Sequence, residues 1–156
     1  MALLDRPVVG LECKLYYNTA THASPTWVEI TRAINASFTV TTGEADASSR
    51  LSTWREVLAT LRDLEITFTY RKKSGTDTVF AALIAAAVAG TIYEYAVMDA
   101  AHNEAGAQGI RAFCQIMSFG NTQDLEAAEE VDFTLKPAPK EESGSAVHPD
   151  WYTVGS

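Results

Sequence analysis

The sequence predicts a mainly β chain with a single α-helix, and three observations carry that reading. Several stretches place apolar residues at every second position, the period of a half-buried strand. One stretch, 79–88, repeats its apolar residues at helical spacing instead. With 156 residues, 47% of them hydrophobic, the chain is long enough to bury one sizeable core.

The elements follow in order. A first strand is expected over 8–17, with Leu11, Cys13 and Leu15 on one face and Glu12, Lys14 and Tyr16 on the other. Residues 18–25 read as a polar loop and Trp27-Val28-Glu29-Ile30 as a short extended piece. Over 34–42 the alternation is good, with Ala36, Phe38 and Val40 set against Ser37, Thr39 and Thr41. From Gly43 the period is lost. Residues 44–53 are small, polar and mixed in charge, a long connection of the kind that is commonly functional or mobile. Trp54, at its far end, either staples the loop to its own domain or anchors in a neighbour.

The clearest strand is Leu64-Glu65-Ile66-Thr67-Phe68-Thr69-Tyr70, which puts Leu64, Ile66, Phe68 and Tyr70 on one face and Glu65, Thr67 and Thr69 on the other. Arg71-Lys72-Lys73-Ser74-Gly75 ends it. A flanking helix is then predicted over about 77–89, where Val79, Phe80, Leu83, Ile84, Ala87 and Val88 share a face. Thr76 or Asp77 is the expected N-cap, and Gly90 the stop. The far side carries Ala81, Ala82, Ala85, Ala86 and Ala89 where a surface helix should carry charge. Either a second copy of the protein covers that side, or alanine stands there as a good helix former that tolerates water.

Beyond the helix, 91–98 reads as a strand and 99–109 as a turn-rich loop. Residues 110–119 are apolar on both faces, with Ile110, Ala112, Cys114 and Ile116 on one and Phe113, Met117 and Phe119 on the other. A strand of that kind is covered on both sides. An acidic connection over 120–130 leads to a last alternating strand, Val131-Asp132-Phe133-Thr134-Leu135-Lys136, stopped by Pro137 and Pro139. The chain thus divides into a β domain over 1–137 and a C-terminal arm over 138–156. The arm has the composition of a flexible segment, and Trp151 and Tyr152 at its end indicate that it docks somewhere.

Composition narrows the function. A net charge of −8 argues against tight nucleic-acid binding, which rests on phosphate neutralisation by Lys and Arg. The one basic run, Arg71-Lys72-Lys73, reads as a solvated turn. No segment reaches the roughly 20 apolar residues that span a bilayer. The N-terminus contains Asp5 and lacks a basic region followed by an apolar run, so no signal peptide and synthesis in a cytoplasm are expected. Cys13 and Cys114 both fall in expected strands and read as small buried hydrophobes, with a disulfide left open. Asn35-Ala36-Ser37 matches a glycosylation sequon, read as chance without a secretory signal.

No catalytic, cofactor-binding or metal-binding constellation emerges. His22, His102 and His148 fall in loops or the arm, without ligand spacing, and there is no C-x-x-C. Gly106-Ala107-Gln108-Gly109 is too short for a phosphate loop and lacks its lysine. Cys114 with His102 is a poor nucleophile and base, because Cys114 lies mid-strand among apolar residues. Glu129-Glu130 and Glu141-Glu142 are neighbours in sequence and diverge on a strand.

The order of these signals resembles the major tail tube proteins of long-tailed, siphophage-type bacteriophages. The likeness covers residues 8–138. It runs from Trp27-Val28-Glu29-Ile30 through Arg50-x-x-x-Trp54 and Leu61-x-Asp63-x-Glu65-Ile66-Thr67-Phe68 to the helix with Phe80 and Leu83, and ends on Val131-Asp132-Phe133-Thr134-Leu135-Lys136-Pro137. The resemblance implies a β-sandwich or rolled β-barrel with one flanking helix, and a structural subunit of the virion tail with no catalytic role and no cofactor. Such subunits form hexameric rings that stack into a hollow tube for DNA passage. The inner sheets of the copies join into one barrel, and the tail terminator, tape-measure and baseplate or tip proteins are the other partners. By this resemblance the 43–60 loop, the N-terminal segment and the arm reach neighbouring subunits. Glu44, Asp46, Arg50, Leu51, Trp54, Phe80, Ile84 and Trp151 are then the expected inter-subunit contacts. Ser37, Thr39, Thr41, Glu65, Thr67 and Thr69 are the expected lumen-facing residues, and the acidic balance suits a lumen through which DNA slides. Two other readings stand beside it: a small-ligand-binding β-barrel, and the tube subunit of a contractile injection or secretion machine.

Overall fold

The computed structural model describes residues 7–155. The N-terminal segment expected to reach a neighbour lies, through residue 6, outside them. The elements are β1 (Lys14–Asn18), β2 (Trp27–Glu29), β3 (Ala33–Asp46), β4 (Val57–Arg71), α1 (Thr78–Ala89), β5 (Tyr93–Met98), β6 (Gln108–Thr122), β7 (Glu130–Pro137), β8 (Glu141–Glu142), β9 (Ser145–Ala146) and β10 (Asp150–Thr153). One antiparallel sheet runs β2-β1-β5-β6-β7-β4-β3, with β10 also on β6, and β8–β9 form a small separate hairpin. The end strands β2 and β3 are separated by only three residues, 30–32, so the sheet has to curl until its two ends meet. This is the mainly β rolled architecture with one helix that the sequence predicted.

The inside of the roll is the core. Leu64, Ile66, Phe68 and Tyr70 of β4 are buried there as the period of two requires, against Val131, Phe133 and Leu135 of β7 and Ile110, Ala112, Cys114 and Ile116 of β6. α1 closes it with Leu83 and Ala86. Asp77 is the N-cap and accepts the Phe80 N–H at 3.2 Å, while Gly90 ends the helix at φ 69°. That left-handed conformation favours glycine, and a Cβ there would also stand 2.9 Å from Gln115 Nε2. The azimuth of α1 differs from expectation. Ala82 and Ala86 pack inward, whereas Ala81, Ala85, Val88 and Ala89 are exposed. A helix apolar on every side has no amphipathic gradient, so its sequence does not say which side turns inward.

Four further expectations are corrected. The 43–60 segment is not one loop: β3 runs out to Asp46 and β4 starts at Val57, so only 47–56 connect them. The period is lost there because the hairpin is exposed on both faces, so no buried side selects apolar residues; β4 also carries an extra residue opposite Gly43, where a Cβ would lie 2.5 Å from Thr60 Oγ1. Likewise β6 extends to Thr122 and β7 begins at Glu130, which shortens the 120–130 connection. The two-faced apolar pattern of 110–119 has two origins: Phe113 is indeed covered on the outer face, by His22 and Lys140, while the rest comes from a change of phase. A bulge between Ile116 and Ser118 switches the phase of β6, so Phe119 joins the inner face and pairs with Phe133. At the start of the chain, the first strand begins only at Lys14. Residues 9–13 form a turn, with Glu12 N–H donating to Val9 C=O, and this leaves Leu11 and Cys13 exposed. Cys114 is buried, and both thiols are free.

The chain itself covers the outer face of the β1-β5-β6 half. Tyr16, Ala96, Met98, Ala100 and Ala107 form a second buried cluster there, with Trp27, Tyr152 and Val154 packed on it. Residues 138–155, expected to be an arm, fold back to provide part of that cover. β10 pairs with β6 (Trp151 opposite Ile110), Val154 N–H donates to Ala107 C=O, and Arg111 meets Asp150 at 3.0 Å beneath the Tyr152 ring. Buried Glu94 ties down the 19–26 loop through Asn18 Nδ2 at 3.1 Å and through His22 Nδ1. Glu142 in turn accepts the His22 backbone N–H at 2.9 Å.

Candidate functional site

Period two, set by the same residues that fill the core, gives β3, β4 and β7 a polar opposite face. Register brings Ser37 beside Thr67, Thr39 beside Glu65 and Thr41 beside Asp63. Across β7, Thr67 meets Thr134 and Thr69 meets Asp132, and the face continues to Ser118 of β6. All six residues named as lumen-facing therefore stand on one sheet face. Hydroxyls satisfy one another and the carboxylates: Ser37 Oγ lies 2.9 Å from Thr67 Oγ1, and Thr69 donates to Asp132 Oδ1 at 2.6 Å. Lys136 lies between two carboxylates, 2.9 Å from Asp63 Oδ2 and 3.2 Å from Glu65 Oε2. These hydrogen bonds, that to Asp63 first, raise its ammonium above the ordinary lysine range. Asp63, Asp132 and Lys136 were not named as lumen-facing from sequence, although Asp63 stands at period two from Glu65.

The same four strands, β6-β7-β4-β3, end in two open edges. β3 pairs only with β4, so its other side is unpaired along the strand. Past Cys114, β6 has lost β5 and pairs only with β7. Unpaired edges of this length template further strands unless something covers them.

Beyond Leu64 the β3–β4 hairpin leaves the body of the domain, and its residues are exposed out to the tip. Glu44 and Asp46 lie on its β3 arm, with Arg50, Leu51 and Trp54 in the tip. Leu51 and Trp54 are 99% and 80% exposed, so Trp54 does not staple the tip to its own domain. The structure does not bring all eight predicted contact residues together. Phe80 and Ile84 are half-buried on the core, Phe80 stacked on Tyr70 with Lys72 over its ring. Trp151 docks on its own chain, near Phe38, with Nε1 donating to Gln108 Oε1 at 3.1 Å.

Nucleophilic chemistry has no purchase here. Burial pushes the Cys114 thiol up to about 12, and His102 packs edge-on against Tyr16. Among the described residues no three His, Cys, Asp or Glu side chains gather to hold a metal ion. Tyr70, Tyr95, Ile66, Phe133 and Leu135 fill the interior of the roll where a ligand-binding barrel would need space. The Tyr95 hydroxyl is buried there without a hydrogen-bond partner. A groove of about 550 Å³ lies at the margin of the core, lined by Leu15 and Ile30 together with Gly10, Leu11 and Ala33–Ala36.

No protein-family model matches the chain, and no curated protein matches it. Solved structures do share its fold. The SPP1 tail tube is 16% identical with a TM-score of 0.73, over 96% of this chain and 81% of that one. The tail of an empty gene transfer agent particle, solved with C6 symmetry, is 15% identical at a TM-score of 0.64, over 90% and 97%. A chain of the six-fold symmetrised anti-feeding prophage baseplate is 8% identical at 0.58, over 97% and 99%. At these identities the likeness is one of architecture: the chain shares its overall fold with chains of the SPP1 tail tube and the gene transfer agent tail.

Proposed function

We propose that the chain is the structural subunit of a virion tail tube, made in the host cytoplasm and assembling into stacked hexameric rings around a conduit for DNA. The observation that carries this reading is the four-stranded sheet β6-β7-β4-β3, open at both long edges and polar on one face. Rotation about a ring axis preserves strand direction. Because β6 and β3 run oppositely within one subunit, β3 of the next subunit arrives antiparallel to β6, the direction that edge pairing needs. Repeating that contact closes the sheet and removes both edges.

In this arrangement the Ser37–Thr67–Thr134 face lines the lumen, and its carboxylates repel passing phosphates. The projecting hairpin, with Glu44, Asp46, Arg50, Leu51 and Trp54, reaches the adjacent ring. Tail terminator, tape-measure and baseplate or tip proteins are the partners at the ends and inside. A tube in a contractile injection machine is the second reading, supported by the likeness to the anti-feeding prophage baseplate chain. Negative-stain electron microscopy with light scattering across a concentration series tests the proposal. Rings or hollow tubes are expected, and a monomer at every concentration overturns it.

A further inference from the structure

The two open edges differ from ordinary surface in the apolar side chains they carry, Phe38, Val40 and Phe119 on the inner face and Met117 at the bulge of β6. Phe38 and Val40 on β3 are 37% and 51% exposed, Met117 and Phe119 on β6 are 62% and 47%, and Trp151 on β10 is 58%. Since aromatic side chains bury roughly 150–250 Å² each, these five leave on the order of 500 Å² of apolar surface in water. That is about half the apolar area of a standard interface of roughly 1,600 Å². The register places them level. Ile116, Leu135, Ile66 and Phe38 form one cross-strand row, so Met117 stands at the height of Phe38 on the opposite edge. Trp151 reaches the β3 edge from the other wall of the roll, because β10 holds it opposite Ile110. Its ring lies 6.3 Å from that of Phe38, inclined at 59°.

We propose that Phe38 and Trp151 form an aromatic receptor for Met117 and Phe119 of the neighbouring copy, so that the C-terminal strand, docked within its own subunit, completes the lateral seam. This rests on the ring reading and deepens it. The occupant is a second copy of the chain, because the same molecule carries both halves at matching height. Sulfur and aromatic groups pack favourably in this combination. On the outer side of the seam Ser118 of β6 stands level with Ser37 of β3, next to Thr39. A seam set one residue out of phase would put apolar residues in the lumen.

The test uses two variants that disable opposite faces, Trp151→Ala and Met117→Lys, in the full chain. Each alone is expected to raise the concentration for assembly at least about tenfold, as loss of a central anchor does. Trp151→Phe, which keeps a ring on Phe38, is expected to assemble. The contact is head to tail, so an equal mixture of the two defective variants should stop at a heterodimer, which size exclusion with light scattering detects. Thermal melting near that of the unaltered protein shows that the variants are folded. Assembly of Trp151→Ala at the unaltered concentration, or a mixture that yields no dimer, overturns this seam while the rings remain. An unaltered protein that never leaves the monomer overturns the ring reading itself, and the seam with it.

Discussion

Tyr70 donates its phenol proton to Asp77 Oδ2 at 2.7 Å, and through that bond the last buried residue of β4 fixes the first cap of α1. Burial and the bond to Asp77 push the Tyr70 hydroxyl far above the ordinary phenol range. Burial pulls Asp77 upward too. The Tyr70 hydroxyl and the Phe80 N–H hold its ionised form strongly enough that the carboxyl ends below its usual range.

Replacing Asp77 with Ala removes a helix cap, worth about 1 kcal/mol. It also leaves a buried hydroxyl unpaired, at a cost of about 1–3 kcal/mol. Urea unfolding should therefore show a loss of about 2–4 kcal/mol, and a loss below about 0.5 kcal/mol would remove the link. The pH dependence has a definite sign. A folded carboxyl held below its unfolded value of about 3.9 stabilises the fold above that pH and loses the contribution as pH falls through the folded value. Between about pH 5 and 3 the unaltered protein should lose more stability than Asp77→Asn.

Lys136 is screened by Asp63 and Glu65 on the face proposed to line the lumen. The double variant Asp63→Asn, Glu65→Gln frees that cation. Assembled tubes should then bind short duplex DNA measurably at low salt, with the log–log salt slope steeper by about one unit per phosphate contacted. Fluorescence anisotropy of labelled DNA reads this directly. Equal binding by unaltered tubes would take away the masking role.

The hairpin tip adds nothing to the core. Replacing 48–55 by an Asn-Gly turn should leave the melting temperature within about 4 °C, a change of under about 1 kcal/mol. Electron micrographs should show separate rings and no stacked tubes. Long tubes from this variant would mean that the tip does not join rings.

Cys13 is exposed and Cys114 lies in the core with its thiol pushed up to about 12. Aromatic disulfide reagent at pH 8 should titrate one thiol in the native protein and two in denaturant. Two fast native thiols would place Cys114 outside the core. Cys13→Ser should assemble normally.

The legible parts of the fold were those where side-chain period and burial agree. The 64–70 and 131–136 strands read correctly because one face of each is packed and the other polar, as the alternation of Leu64, Ile66, Phe68 and Tyr70 requires. The Asp77 and Gly90 caps were readable because they satisfy local backbone groups. Past Gly43 the hairpin is exposed on both faces and so reads as a loop, and at Met117 one extra residue shifts the phase of β6 and brings Phe119 to the inner face. The polar face was readable for the same reason as the strands, yet Asp63, Asp132 and Lys136 joined it only once the register was known.

By itself the sequence determined the strand-rich class, the single helix, the apolar inner face and the polar outer one, since period and capping are local properties of neighbouring residues. Tertiary structure alone decided three things: the helix turns Ala82 and Ala86 inward, residues 138–155 cover their own domain, and Trp151 meets Phe38. Each depends on residues far apart in the chain competing for one apolar surface. Composition and period do not specify which of them reaches it, because burial rewards apolar area wherever in the chain it comes from.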